Sequence, residues 1–254
     1  MKKLILLATV VTCFLLQTIN AQITTGSITM QMKGMDMGEE LGGANGEDFS
    51  KQMEGIMGDM KMTMHFKPGK QVTEINMMGF ISMNQHFEDG VMTQYMDMMG
   101  QKIKMEIPVG ADAFKELGLD ESEISQAYKI DYNKEKTKYI AGYECYEVSI
   151  KMDLSQFGEV DEIPAEMSDI TTTMYITEDI KMDVIGMQQL PGLQLDGTPL
   201  SMTTDVGVMK MTFEATEVKT KVDPSVFEVP EGDYKEMSLE ELQQLGMSPG
   251  SFGF

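Results

Sequence analysis

The sequence predicts a mainly β fold of the α+β class: a curved antiparallel sheet with a few short covering helices. Three observations predict it. Apolar and polar residues alternate with period two in many short runs, turn residues separate those runs, and helical spacing occurs in only three places. Successive strand side chains point to opposite faces, so each run has one dry and one wet side. Such one-sided alternation favours antiparallel pairing over a buried parallel sheet.

The runs follow one another along the chain. Ile28, Met30 and Met32 oppose Thr29, Gln31 and Lys33. Met60, Met62, Met64 and Phe66 oppose Lys61, Thr63, His65 and Lys67. Ile103, Met105 and Ile107 oppose Lys102, Lys104 and Glu106. Tyr146, Val148, Ile150, Met152 and Leu154 oppose Glu147, Ser149, Lys151 and Asp153. Met209, Met211, Phe213 and Ala215 oppose Lys210, Thr212, Glu214 and Thr216. Weaker patterns predict strands over 71–78, 80–86, 91–98 and 171–177. Lys67-Pro68-Gly69-Lys70, Glu88-Asp89-Gly90 and the stretch 195–199 carry turn chemistry.

The three helical patterns are short. Phe49, Met53, Ile56, Met57 and Met60 have helical spacing, weakened by Gly55 and Gly58. A second pattern runs loosely through 111–128. The third starts at a capping box, Ser238 to Glu241, continues through Leu242 and Leu245, and stops at Gly246. Residues 34–47 and 155–170 read as mobile loops, and 248–254 as a loose tail. The string Met-Lys-Met-Thr recurs at 60 and 209 with different flanks, so it marks no internal repeat.

The N-terminus has the order of a secretory signal peptide: Met1-Lys2-Lys3, an apolar run over 4–16, and Asn20-Ala21 before Gln22. The residues before Cys13 lack the small residue expected ahead of a lipidated cysteine. The expected division is a signal peptide over 1–21, one β-rich domain over 22–236, and a short helix and tail over 237–254. A mature start at Gln22 places the protein in the periplasm or outside the cell. No later stretch approaches the ~20 apolar residues of a membrane span.

Composition excludes some partners. Asp and Glu number 41 against 20 Lys, with no Arg, for a net charge of −21. Nucleic-acid phosphates need clustered cations, and this surface repels them. Without its signal, the chain keeps Cys145 alone, which forms no internal disulfide. A structural thiol is the first reading of Cys145, an intermolecular disulfide the second and a catalytic thiol the last. The sequence holds no nucleophile elbow, phosphate-cradling loop, Cys-x-x-Cys or His-Glu-x-x-His. These readings name no catalytic residue, enzyme activity or cofactor.

A broad sheet with one apolar face must cover that face. With few helices, it must curl over itself, accept a partner or hold an apolar ligand such as a lipid or acyl chain. Met62, Met64, Met105, Ile150, Met152, Met211 and Phe213 are the candidate lining of the last case. Methionine suits it, being unbranched and adaptable, though it serves equally as ordinary core. A second reading is Cu(I) bound by thioethers. Met35 with Met37, and Met96 with Met98, form i, i+2 pairs on one strand face, ~7 Å apart at the backbone. A third reading is a structural or interaction module.

Three stretches carry a family resemblance. Lys138-Tyr139-Ile140-Ala141-Gly142-Tyr143-Glu144-Cys145-Tyr146 is the first; Leu195-Asp196-Gly197-Thr198-Pro199-Leu200 and Phe227-Glu228-Val229-Pro230-Glu231-Gly232-Asp233-Tyr234 are the others. Together they resemble the bacterial envelope proteins of domain-of-unknown-function family 4412, over roughly residues 26–234. That family is similar in fold to the periplasmic lipoprotein carriers LolA and LolB. The resemblance implies an incomplete LolA-like barrel, with helices as a lid over an apolar cavity. It implies no catalytic residues.

Overall fold

The computed structural model describes residues 22–37, 60–77, 81–88, 90–98, 100–109, 121–153, 169–182, 193, 195–238 and 241. The expected signal peptide, the helical pattern at 49–60 apart from Met60, most of both expected loops and the tail lie outside these residues. Twelve strands form one sheet. In chain order they are β1 (Gly26–Met37), β2 (Lys61–Lys67), β3 (Lys70–Met77), β4 (Ile81–Glu88), β5 (Val91–Met98) and β6 (Gln101–Pro108). After helix α1 (Glu121–Ala127) come β7 (Tyr128–Ile140), β8 (Tyr143–Asp153), β9 (Asp169–Thr177), β10 (Thr198–Asp205), β11 (Met209–Lys219) and the short β12 (Lys235–Glu236).

The spatial order is β12-β6-β5-β4-β3-β2-β1-β11-β10-β9-β8-β7. Two antiparallel meanders, β1–β6 and β7–β11, are thus joined where the first strand pairs with β11. Only β12 runs parallel to its neighbour, β6. The fold is a large, open, curved sheet, as the alternation predicts.

Every strongly alternating run is a strand, and so is each weaker one. Three strands were not expected: β7, β10 and the two-residue β12. β7 follows a helix that ends at Ala127, where the sequence pattern runs loosely to 128. Its middle, Asn133 to Thr137, is polar, largely charged and exposed, so it shows no apolar period. Edge strands often carry such charge, which discourages pairing with other chains. β10 begins inside the expected turn at 195–199, and its Pro199 sits beside a register shift, where a missing N–H is tolerated. The expected loops shorten accordingly: β1 reaches Met37 and β9 starts at Asp169.

Turn chemistry explains the first stretch of the family resemblance. Ala141 (φ 49°) and Gly142 (φ 92°) both adopt positive φ between β7 and β8. That pair of conformations matches the twist of a two-residue hairpin. Ile140 and Cys145, which flank the turn, are buried in one cluster with Ile28, Met30 and Phe66.

Further contacts bend and close the sheet. β1 carries register shifts at Thr29/Met30 and Met32/Gly34, and such irregularities increase local twist. Ile23, ahead of β1, bridges to Ile180, beyond the end of β9, through backbone bonds of 2.8 and 2.9 Å. Lys138 of β7 reaches Glu214 of β11 at 3.0 Å, although three strands lie between them in the sheet order. The outer edge therefore curls back toward β11. On the other side, the segment after β11 crosses the β2–β6 region. Lys67 lies 4.4 Å over the Phe227 ring, Tyr95 packs edge-on to Tyr234, and Lys102 donates to the Glu231 carbonyl. Ser238 and Glu241 exchange two capping hydrogen bonds, 2.8 and 3.2 Å, which is the predicted capping box.

Gly142→Ala forces a Cβ into a left-handed conformation, at a cost of roughly 1–2 kcal/mol. For a chain of this size the expected drop in Tm is about 2–8 °C, read by thermal unfolding. An unchanged midpoint would mean that the β7–β8 turn is not the tight hairpin described.

Candidate functional site

Cross-strand partners share a face, so the register identifies which side chains stand together. One row runs Ala215–Met30–Met62–Ile75–Met83–Met96–Ile103 across β11 and β1 to β6. A second runs Met32–Phe213–Met202–Met174–Val148 across β1, β11, β10, β9 and β8. A third runs Met35–Met211–Thr204–Thr172–Ile150–Ile130. These rows lie on the same face of the sheet, which is apolar across both meanders.

All seven candidate lining residues stand on that face, in different surroundings. Met105 and Ile150 are each 3% exposed and belong to separate core clusters. Met62, Met64 and Phe213 are partly buried against the cluster of Ile28, Met30 and Phe66, Met152 against that of Ile150, and Met211 is half-buried. The described cover over the face is local. Ile124 of α1 and Leu193 pack on the β8–β9 part, Met237 packs on the β4–β6 part, and Ile180 and Met182 share a cluster with Ile28, Met30 and Phe66 of β1 and β2. A cleft of about 480 Å³ opens beside Met152 and Ile170 near the end of α1, lined otherwise by Lys129, Lys151, Asp153 and Asp169 among others.

Besides Thr172 and Thr204, four polar residues interrupt this face over β3 to β5, and sequence reasoning passed over them. The row Ile28–Met64–Thr73–Gln85–Gln94–Met105 has three polar members on adjacent strands, β3 to β5. Gln71, beside Thr73 on β3, is the fourth. Gln71 Nε2 donates to Thr73 Oγ1 at 3.2 Å, and Gln85 Nε2 donates to the Met83 sulfur at 3.6 Å. Gln94 is fully buried, yet neither its Nε2 nor its Oε1 finds a hydrogen-bond partner among the described residues. Gln71 Oε1 is unpaired in the same way. Leaving one such group unpaired costs about 1–3 kcal/mol. A signal existed in the sequence: Gln94 has the parity of Met92, Met96 and Met98, where an ordinary core strand is apolar.

Met35, Met96 and Met98 of the copper reading also lie on the apolar face. Met96 is fully buried, Met98 is partly buried, and Met35 is 8% exposed; for Met37 only the backbone is described. β1 and β5 are separated by three strands, so the two pairs are not neighbours in the sheet. His65 and His86 stand on the opposite face, in the row Ser27–His65–Val72–His86–Thr93. Among the described residues, no three His, Cys, Asp or Glu side chains are grouped to hold a metal.

The opposite face carries the titratable chemistry. His65 Nε2 lies 3.6 Å from Glu74 and holds that carboxylate below its ordinary value, with His86 adding to the pull. Burial, then Lys70, pushes the His86 imidazole down, and its ring packs edge-on to Tyr95. Cys145 is 1% exposed, and burial pushes its thiol up to about 11. A thiol so poorly ionised is a weak nucleophile.

Two outcomes follow from these shifts. Unfolded histidine protonates near pH 6.5, but folded His86 does so only at lower pH. The unfolded chain thus binds the proton better, and stability falls as pH drops below about 6.5. Glu74 adds a further loss below about 4.5. Thermal midpoints between pH 7 and 5 test this, and His86→Gln should flatten the profile. Cys145 should resist alkylation at pH 8 in the native protein and react at once in denaturant. Rapid native labelling would contradict its burial.

No family model matches the chain, and no curated protein matches it. The likeness to family 4412 therefore remains one of short stretches. Remote similarities exist among solved structures. The lipoprotein LppX of Mycobacterium tuberculosis aligns with 79% of this chain and 89% of its own, at 10% identity and a TM-score of 0.38. LprF of Mycobacterium bovis aligns with 84% of this chain and 91% of its own, at 10% identity and a TM-score of 0.34. PNGF-II aligns with 89% of this chain, which spans only 33% of that protein, at 15% identity and a TM-score of 0.47. None of these likenesses places a ligand or an activity on this chain.

Proposed function

We propose that the protein is a non-catalytic, exported carrier that holds an apolar ligand, a lipid or acyl chain, against the apolar face of its curved sheet. One observation carries this reading. Met, Ile and Phe dominate this face from β11 through β6, broken by the polar residues on β3 to β5, while the described cover is local: Met237 over β4–β6, Ile180 and Met182 beside Ile28, Met30 and Phe66, and α1 with Leu193 over β8–β9. Met62, Met64, Met152, Met211 and Phe213 remain part-exposed there and are the surfaces a ligand would cover. Burial of apolar area is worth ~25 cal/mol per Å², so a docked acyl chain contributes several kcal/mol. The burial of Cys145 argues against its use as a nucleophile. Among the described residues, no helix is long and apolar enough to cross a membrane.

Native mass spectrometry of protein purified gently from its producing cells tests the reading. The expected spectrum contains an adduct of lipid mass that organic extraction removes. A spectrum of bare polypeptide, together with no uptake of added lipid, would leave a structural or interaction module as the better account.

A further inference from the structure

We infer that the ligand carries an amide, and that Gln94 and Gln71 read it from within the apolar face. This rests on the carrier reading and adds the chemical class of the ligand's polar group. Gln94 is fully buried on the apolar face, between Gln85 and Met105 in its row and between Met92 and Met96 in parity along its own strand. Core packing alone does not call for an amide there. Buried polar groups are paired in almost every folded protein, and each exception calls for a reason. Among the described residues both ends of one side chain are unpaired, and the Oε1 of Gln71, unpaired in the same way, stands on the same face two strands away.

The unpaired atoms of these two glutamines select the ligand group. Nε2 of Gln94 supplies donors, while Oε1 of Gln94 and Oε1 of Gln71 supply acceptors. Exchanging the nitrogen and oxygen of the Gln94 amide leaves that inventory unchanged. A hydrocarbon satisfies none of these atoms. An ester carbonyl accepts from Nε2 but donates nothing, so both acceptors stay unpaired. A fatty carboxylate also only accepts, and it brings an unpaired charge into an apolar site. A secondary amide joins both roles in one group: its carbonyl accepts from Gln94 Nε2, and its N–H donates to a glutamine Oε1. An acyl chain in amide linkage therefore fits the face and its polar break together.

Three probes of equal chain length separate the possibilities: N-butylpalmitamide, butyl palmitate and heneicosane. Each is titrated against the purified, delipidated full chain by displacement of a fluorescent fatty-acid analogue. The amide should bind about tenfold more tightly than the ester, the difference of roughly one well-made hydrogen bond. Gln94→Met, close to Gln in shape, should reduce that preference to within about twofold and raise the Tm of the ligand-free protein. Gln71→Met should reduce it partially and provides a second variant if the first is poorly folded. Equal binding of amide and ester by the wild type, or a preference that survives both substitutions, would overturn the inference while leaving the carrier reading intact. Failure of all three probes to bind would overturn both.

Discussion

The pairing of β1 with β11 is the constraint on which the rest of the structure depends. Without it the chain forms two separate meanders, each with an apolar face and two open edges. With it, β1 sits between β2 and β11, and the parity of Met30 and Met32 passes to both sides. A shift of one residue in this pairing would turn the apolar side of one half against the polar side of the other. The two irregularities in β1 adjust the register without losing that agreement. Ile28 pairs with Val218, Met30 with Ala215 and Met35 with Met211, each apolar against apolar.

The two faces of the first meander then receive different treatment. Its polar face, with His65, Glu74, His86 and Tyr95, is crossed by the C-terminal segment through Phe227 and Tyr234. Its apolar face holds the methionine rows and the glutamine break. Methionine tolerates varied neighbours because it is unbranched and polarizable. A face rich in it adapts to chains of different shape, whereas a buried glutamine with free donor and acceptor atoms admits only ligands that satisfy it. In the proposed carrier, adaptable packing and a fixed polar reader are combined on one surface. The unpaired amides reduce stability, as functional groups commonly do.

Much of the fold was legible because period-two alternation needs no knowledge of partners. The runs at Ile28–Met32, Met60–Phe66 and Tyr146–Met152 declare strand and face at once. β7 was not legible: its charged middle is the signature of an edge, and whether a strand lies at an edge is a tertiary fact. β10 was hidden by Pro199, which reads as a turn until the register shift beside it is known. The lining residues could be assigned a dry side from parity, but strand order alone shows that Met105 and Ile150, in distant strands, share one face. The glutamine break was visible in principle. A polar residue at an apolar parity position gains meaning only when its burial and missing partners are known.

The most direct test of the central claim is to map where a bound chain lies. A diazirine-bearing acyl amide, photo-activated on the folded protein, should leave its adducts on peptides from β2, β5 and β11, at apolar-face positions such as Met62, Met64, Met92 and Met211. Adducts confined to the opposite face around His65 and Thr63, or scattered without preference, would contradict the assignment of the methionine-rich face as the ligand surface.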